Sequence, residues 1–222
     1  MNTLELKKDI ISEVLKFKYI IWDWNGTLLD DRELSYKTLI DQQKKHKITP
    51  ITYDNYLDTF CFPIKDFYIK LGFDFSITPF VGLAKEFFNM YEKNFFETKL
   101  FPGVDKFLNL LSIEGKKQFV VSAAEESYLK KSLDHFKISH YFNEVCGLKN
   151  KLGESKKELA QNLLHKWGLP LSQTIFIGDT LHDLEVAKSL DIEAMLLADG
   201  HQSYKRLKDQ HKLSFSSRFE SC

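Results

Sequence analysis

The chain has 222 residues, 31 Lys and Arg against 31 Asp and Glu, and 43% hydrophobic content. With 14% aromatic residues and only 10 Gly and 5 Pro, it excludes low-complexity disorder and can bury a core in one or two domains. The zero charge balance disfavours nucleic acid as a partner, and no apolar run reaches the ~20 residues of a membrane span. The N-terminus, MNTLELKKDIISEVLK, lacks the continuous apolar stretch of a signal peptide. Cys61, Cys146 and Cys222 are scattered without a C-x-x-C, which points to reduced thiols and a cytoplasmic protein.

In chain order, Leu6, Ile10 and Val14 recur every four residues, predicting an amphipathic helix over 4–16. A short β-rich run, 17–22, stops abruptly at Asp23-Trp24-Asn25-Gly26-Thr27. Residues 31–47, 63–72 and 79–96 read as helices, and no strand is expected from 28 to 100. After Phe101-Pro102-Gly103 helices alternate with short apolar strands: helix 104–115, strand 117–122, helix 125–136, strand 141–147, helix 155–168, strand 173–179, helix 183–190 and strand 193–199. Such alternation implies an α/β fold, a Rossmann-like parallel sheet with helices on both faces, which strand 17–22 joins. Residues 1–30 and 101–222 then form the core domain, and 31–100 form an all-helical insertion after the first strand. Of the 19 Phe, 11 fall between Phe60 and Phe101, which suits a separate aromatic core there.

Ligands of open parallel sheets bind at the carboxyl ends of strands. Three strands here end in polar residues: Asp23, Ser122 and Asp179. Each has a local explanation. Asp23 could cap a helix, Asn25-Gly26 is a turn signal, Ser122 to Glu125 fits a capping box, and Asp179 and Asp183 suit a helix N-terminus. Lys156, beside Lys157, could be solvated. Together they converge on one sheet edge and make a kit for phosphoryl transfer. Mg²⁺ takes oxygen ligands from one or two carboxylates plus phosphate, a lysine and hydroxyls hold phosphate oxygens, and a carboxylate can be the nucleophile.

The motifs YIIWDWNGTLLDD, FVVSAAE, SKKELAQNLLHKWGL and IFIGDTLHDLEVAKSL occur in that order across nearly the whole chain. In order and spacing the chain resembles the haloacid dehalogenase superfamily with a C1-type helical cap, and within it phosphoglycolate phosphatase-like members. The resemblance implies a Mg²⁺-dependent hydrolase of a small phosphorylated metabolite. Asp23 would be the nucleophile, taking the phosphoryl group as an aspartyl-phosphate. The Asn25 carbonyl with the Asp23 and Asp179 carboxylates would hold Mg²⁺, and Asp183 would orient the metal and its waters. Thr27, Ser122 and Lys156 would hold phosphoryl oxygens, with Lys157 as the alternative register for the lysine.

One position departs from the pattern. Family phosphatases carry an acid/base aspartate two residues after the nucleophile, and this chain has Asn25. General acid–base catalysis is worth roughly 10²–10⁴-fold, so slow turnover of alkyl esters and a gain from Asn25→Asp are the expectations. The alternative is a non-catalytic or regulatory protein that binds phosphate and Mg²⁺ on a degenerate core. A receiver domain is disfavoured because it has no room for so long an insertion after its acceptor aspartate. Trp22 reads as core, Trp24 as facing the insertion, His182 as exposed, and His201 as lying at the same sheet edge. No zinc, dinucleotide or P-loop pattern is present.

Overall fold

The computed structural model describes residues 7–149 and 155–218. Helix α1 (Lys8–Val14) buries Ile10 and Val14, as their spacing requires; residue 6 of that pattern lies outside the described residues. Strand β1 (Tyr19–Trp22) leads into the loop that begins at Asp23. After β2 (Leu29–Asp30) come α2 (Arg32–Lys45), α3 (Tyr53–Thr59), α4 (Ile64–Lys70) and α5 (Phe80–Asn94), and β3 (Lys99–Leu100) closes this helical excursion. Then follow α6 (Val104–Ile113), β4 (Lys117–Glu125), α7 (Glu126–His135), β5 (Glu144–Leu148), α8 (Lys156–Trp167), β6 (Thr174–Gly178), α9 (Leu181–Ser189), β7 (Glu193–Leu197), α10 (Tyr204–Gln210) and β8 (Ser214–Phe215).

Six strands form one parallel sheet in the order β5-β4-β1-β6-β7-β8. Alternating side chains along β1 go to opposite faces. Ile20 and Trp22 join Val120, Ile177, Met195 and residues of α6 and α7 in one apolar cluster. Ile21 joins Phe119, Phe176, Leu196 and residues of α8 and α9 in the other. Covering both faces is what makes every central strand read as a continuous apolar run. A third cluster, including Leu39, Tyr56, Phe67, Tyr68 and Leu83, is drawn wholly from the helical excursion. No helix of the described residues is long and apolar enough to cross a membrane.

Four features differ from the sequence reading. Strands β2 and β3, expected as non-strand, pair antiparallel with Leu29 opposite Leu100 and Asp30 opposite Lys99. Two residues are too few to show an alternation, and the partner lies some seventy positions away. Helix α3, capped by Thr52, buries only Tyr56 and so carries no apolar period. Strand β8 is also only two residues long. Finally, β4 runs through Ser122 to Glu125, and Glu125 rather than Ser122 caps α7, accepting from Ser127 N and Tyr128 N.

Candidate active site

The parallel register sets Trp22 beside both Val120 and Ile177. Asp23, Ser122 and Asp179 therefore emerge at the same carboxyl edge of three adjacent strands, and Asp23 N donates to Ile177 O at 2.9 Å. Two helix starts deliver the remaining groups. Ser155 and Glu158 form a reciprocal capping box that makes Lys156 the first residue of α8. Thr180 opens α9 and donates through both its N–H and its hydroxyl to Asp183 Oδ2, at 3.0 and 2.7 Å.

These elements bring Asp23, Asp179 and Asp183 together, each offering an oxygen within 4.8 Å of the others. Lys156 Nζ lies 2.6 Å from Asp23 Oδ1 and 2.5 Å from Asp183 Oδ1. Lys157 is exposed, so the lysine at the carboxylates is Lys156. Thr27 Oγ1 donates to Asp179 Oδ1 at 2.9 Å, and Ser122 Oγ accepts from Ala124 N at 3.1 Å. Apart from the exposed Lys157, all of these side chains at the cluster are buried. Close backbone approach makes glycine obligatory at three positions of this edge, Gly26, Gly178 and Gly200, the last because its Cβ would run into Asp179. A Cβ at Gly26, which has φ of +70°, would run into the Asp179 carboxylate and the His201 ring, and one at Gly178 would run into Asp183.

Burial raises the pKa of Asp23, with Lys156 opposing and the like charges of Asp183 and Asp179 adding to it. Burial raises Asp179 as well. Asp183 goes the other way: burial would raise it, but the charge and hydrogen bond of Lys156 together with the Thr180 hydrogen bonds outweigh that and lower it. Lys156, despite burial, is held well above its ordinary value by Asp183 and Asp23. Three carboxylates against one ammonium leave an excess of negative charge in a site closed to water. A hard divalent cation with a taste for oxygen fits that donor set.

The structure adds a second group of residues behind this edge. Asp31 is buried and accepts from Asn25 Nδ2 and Gly26 N, both at 2.9 Å, Tyr91 OH at 2.8 Å, Ser35 Oγ at 3.1 Å and His201 Nε2 at 3.2 Å. The imidazole of His201 also meets Tyr56 OH at 2.8 Å, and its backbone N–H donates to Asp179 Oδ2 at 2.6 Å. Arg218 pairs with Asp199 at 2.8 Å, donates to the carbonyls of Gly26 and Thr27, and lies 3.7 Å over the Phe101 ring. Of these, only His201 carries a signal in sequence, its place just past the last long apolar strand. Asp31 looks like one half of an ordinary exposed Asp-Asp pair.

Trp24, expected to face the insertion, is fully buried in a cluster that includes Tyr91 and Phe95 of that segment, with its ring 6.0 Å from that of Phe136, and its indole N–H has no acceptor among the described residues. Strand β1 has ended there, so the chain turns and the side chain is free to fold back onto α7. His182 is half-buried, stacked on Phe62 at 4.8 Å.

The fold has known counterparts. A model of the haloacid dehalogenase-like hydrolases matches residues 20–197. A 5'-nucleotidase of Pseudomonas aeruginosa is 25% identical over 188 residues, 77% of each chain. A phosphoglycolate phosphatase of Pseudomonas fluorescens is 26% identical over 130 residues, 57% of this chain and 47% of that one, so the chain spans about half the length of that relative. Among solved structures, a haloacid dehalogenase-like hydrolase of Streptococcus pneumoniae superposes with a TM-score of 0.75 at 19% identity, over 87% of this chain and 90% of that one. A predicted phosphatase of Clostridium acetobutylicum gives 0.71 at 23%, over 90% and 94%. With the family model spanning most of its length, the chain belongs to the haloacid dehalogenase-like hydrolases.

Proposed function

We propose that this protein hydrolyses small phosphate monoesters with the help of Mg²⁺, through an aspartyl-phosphate on Asp23. The observation that carries this reading is the buried cluster of Asp23, Asp179 and Asp183 around Lys156 at the strand ends. Named relatives in the phosphatase class support it.

The Asp23 carboxylate attacks phosphorus, the ester P–O bond breaks, and the leaving oxygen takes its proton from solvent water, because Asn25 has none to give. A water then attacks the phosphorus of the acyl phosphate, the bond from phosphorus to Asp23 breaks to restore the carboxylate, and phosphate leaves while the water's proton returns to solvent. Lys156 steadies the attacking oxygen and draws off negative charge as it redistributes. Asp183 holds that lysine. Thr27 and Ser122 lie at the same edge as hydroxyl donors for phosphoryl oxygens. Asp23, the Asn25 carbonyl and Asp179 would hold Mg²⁺, which when bound neutralises charge on the phosphoryl oxygens. Residues 31–100 act as the cap that shields the site from water.

A screen of phosphorylated metabolites with Mg²⁺, using Asp23→Asn as the blank, tests this reading. Turnover by the wild type, absent from Asp23→Asn, is the expected result, together with a phosphoryl adduct on Asp23 by mass spectrometry. Retained binding of Mg²⁺ and phosphate with no turnover of any ester would instead favour a binding protein.

A further inference from the structure

Asp31 is a buried carboxylate whose five donors come from four places in the chain: the loop after Asp23, α2, α5 and the loop after β7. Burying an ionised carboxylate is unfavourable unless hydrogen bonds and charge compensate it, so these five contacts are mutually dependent. One of them explains the residue at position 25. Asn25 Nδ2 donates to Asp31 Oδ2 at 2.9 Å and to Tyr91 OH at 3.2 Å, and Tyr91 OH in turn donates to the same Asp31 oxygen. A carboxylate at 25 has no proton to offer there. It would set oxygen against oxygen at hydrogen-bond distance, inside a site already crowded with negative charge.

Tyr91 belongs to α5, and the His201 ring that meets Asp31 also meets Tyr56 of α3. Two helices of the excursion are therefore tied through Asp31 to the loop that begins at Asp23. We propose that Asp31 is a positioning residue matched to Asn25: it requires an amide at 25, fixes that amide, and couples the seating of the helical cap to the nucleophile loop. On this view Asn25 is not a phosphatase aspartate lost but one half of a pair. Restoring aspartate alone harms the site.

Its kinetic arm rests on the hydrolase reading, and its other arms do not. The test compares wild type with Asn25→Asp, Asp31→Asn, the exchange that combines them, and Tyr91→Phe. In the exchange the amide now at position 31 can donate to the carboxylate now at position 25, while the amide oxygen still accepts from Gly26 and His201. Melting should be strongly non-additive, with the exchange melting above Asn25→Asp. Its kcat for p-nitrophenyl phosphate should exceed that of Asn25→Asp by about 10-fold, within the range of coupling between residues in contact. Tyr91→Phe, which removes one hydroxyl and should fold, is expected to lower kcat more than KM. It should also speed hydrogen exchange in the peptide that contains Gly26. Additive singles, an Asn25→Asp variant equal to or better than wild type, or unchanged exchange at Gly26 in Tyr91→Phe would each overturn the proposal. If every protein including wild type is inert toward esters, the hydrolase reading has failed, whereas non-additive melting with faster Gly26 exchange still supports the pairing.

Discussion

Asp183 Oδ1 accepts from Lys156 Nζ at 2.5 Å, so the charge of this carboxylate is already matched by a buried ammonium. Asp179 sits differently: its hydrogen bonds come from neutral donors, the Thr27 hydroxyl and the His201 N–H. A cation entering the cluster finds Asp183 already paired with a buried ammonium, whereas Asp179 feels only the His201 imidazolium, whose ring is itself paired with Asp31. Asp179→Ala should abolish Mg²⁺ binding in a calorimetric titration. Asp183→Ala should weaken it about 10–100-fold, as the loss of a ligand-orienting partner does. Equal affinities in the two variants would contradict this assignment.

Much of this edge was legible in sequence because parallel strands buried on both faces announce themselves as apolar runs, and their carboxyl ends collect ligand-binding residues. Asp23, Ser122 and Asp179 follow from that rule, whereas Lys156 follows only from the resemblance of its motif. The network behind them was not. Asp31, Tyr56, Tyr91 and Arg218 come from four elements that meet only in three dimensions, and each has an ordinary local setting. The pairing of Leu29 with Leu100 was hidden for the same reason, since a two-residue strand has no period and its partner is remote. Ser122 shows the opposite failure. Its local pattern fits a helix cap, but pairing of Glu125 with Leu148 on β5 keeps the chain extended for three more residues.

Arg218 braces the nucleophile loop from behind. Its guanidinium is buried between Asp199, the carbonyls of Gly26 and Thr27, and the face of Phe101, which follows β3. Removing one partner of a buried ion pair typically costs about 3–5 kcal/mol, and each kcal/mol is about 2–4 °C in a domain of this size. Arg218→Ala should therefore melt roughly 6–20 °C lower, and Arg218→Lys should recover only part of the loss, because an ammonium cannot match the planar fork. An unchanged melting temperature in Arg218→Ala would show that the strap contributes nothing.

The Asp31–His201 pair gives stability a defined pH dependence. Burial alone would raise Asp31 and lower His201, but their mutual attraction and hydrogen bonds win, bringing Asp31 down to about 2 and His201 up to about 9. The His201 contribution is complete below its unfolded value near 6.5 and is lost as pH rises through about 9. The Asp31 contribution is complete above 3.8 and is lost only as pH falls toward about 2. Facing the imidazole are Asp31, the Tyr56 hydroxyl, and the carboxylates of Asp179 and Asp23. In chelator, wild type should lose melting temperature between pH 6.5 and 9 more steeply than His201→Gln. Parallel curves for the two proteins would remove His201 as the source.

The three carboxylates and Lys156 are buried, and the helical excursion is tied to the same edge through Tyr56, Tyr91 and Phe62, so substrate is expected to enter as the excursion moves away. Besides the Asp31 network and the packing of Phe88, Phe95 and Phe96 against α7, two sets of contacts hold it down, and they differ in kind. The β2–β3 ribbon is main-chain pairing, extended by Phe101 N donating to Leu28 O at 3.0 Å, and it forms both connections, near 29–31 and 100–103. At the far side, Gln202 Nε2 and Arg206 Nη1 donate to Phe60 O at 2.8 and 2.6 Å, and Ser203 N donates to Leu57 O at 3.4 Å. Those bonds end α3, whose last carbonyls would otherwise lack donors. They can be exchanged for water one by one, whereas breaking the ribbon would cut both hinges. The excursion should therefore open at 57–60 and bend at the ribbon, a motion of the kind that runs on a μs–ms timescale. Hydrogen exchange should show faster labelling at 57–60 than at 28–30, with added protection at 57–60 on binding Mg²⁺ and beryllium fluoride. Gln202→Ala with Arg206→Ala should speed labelling at 57–60 and leave the ribbon unchanged. If the ribbon exchanges first, or if ligand demonstrably binds without protecting 57–60, the hinge and the latch have been assigned to the wrong ends.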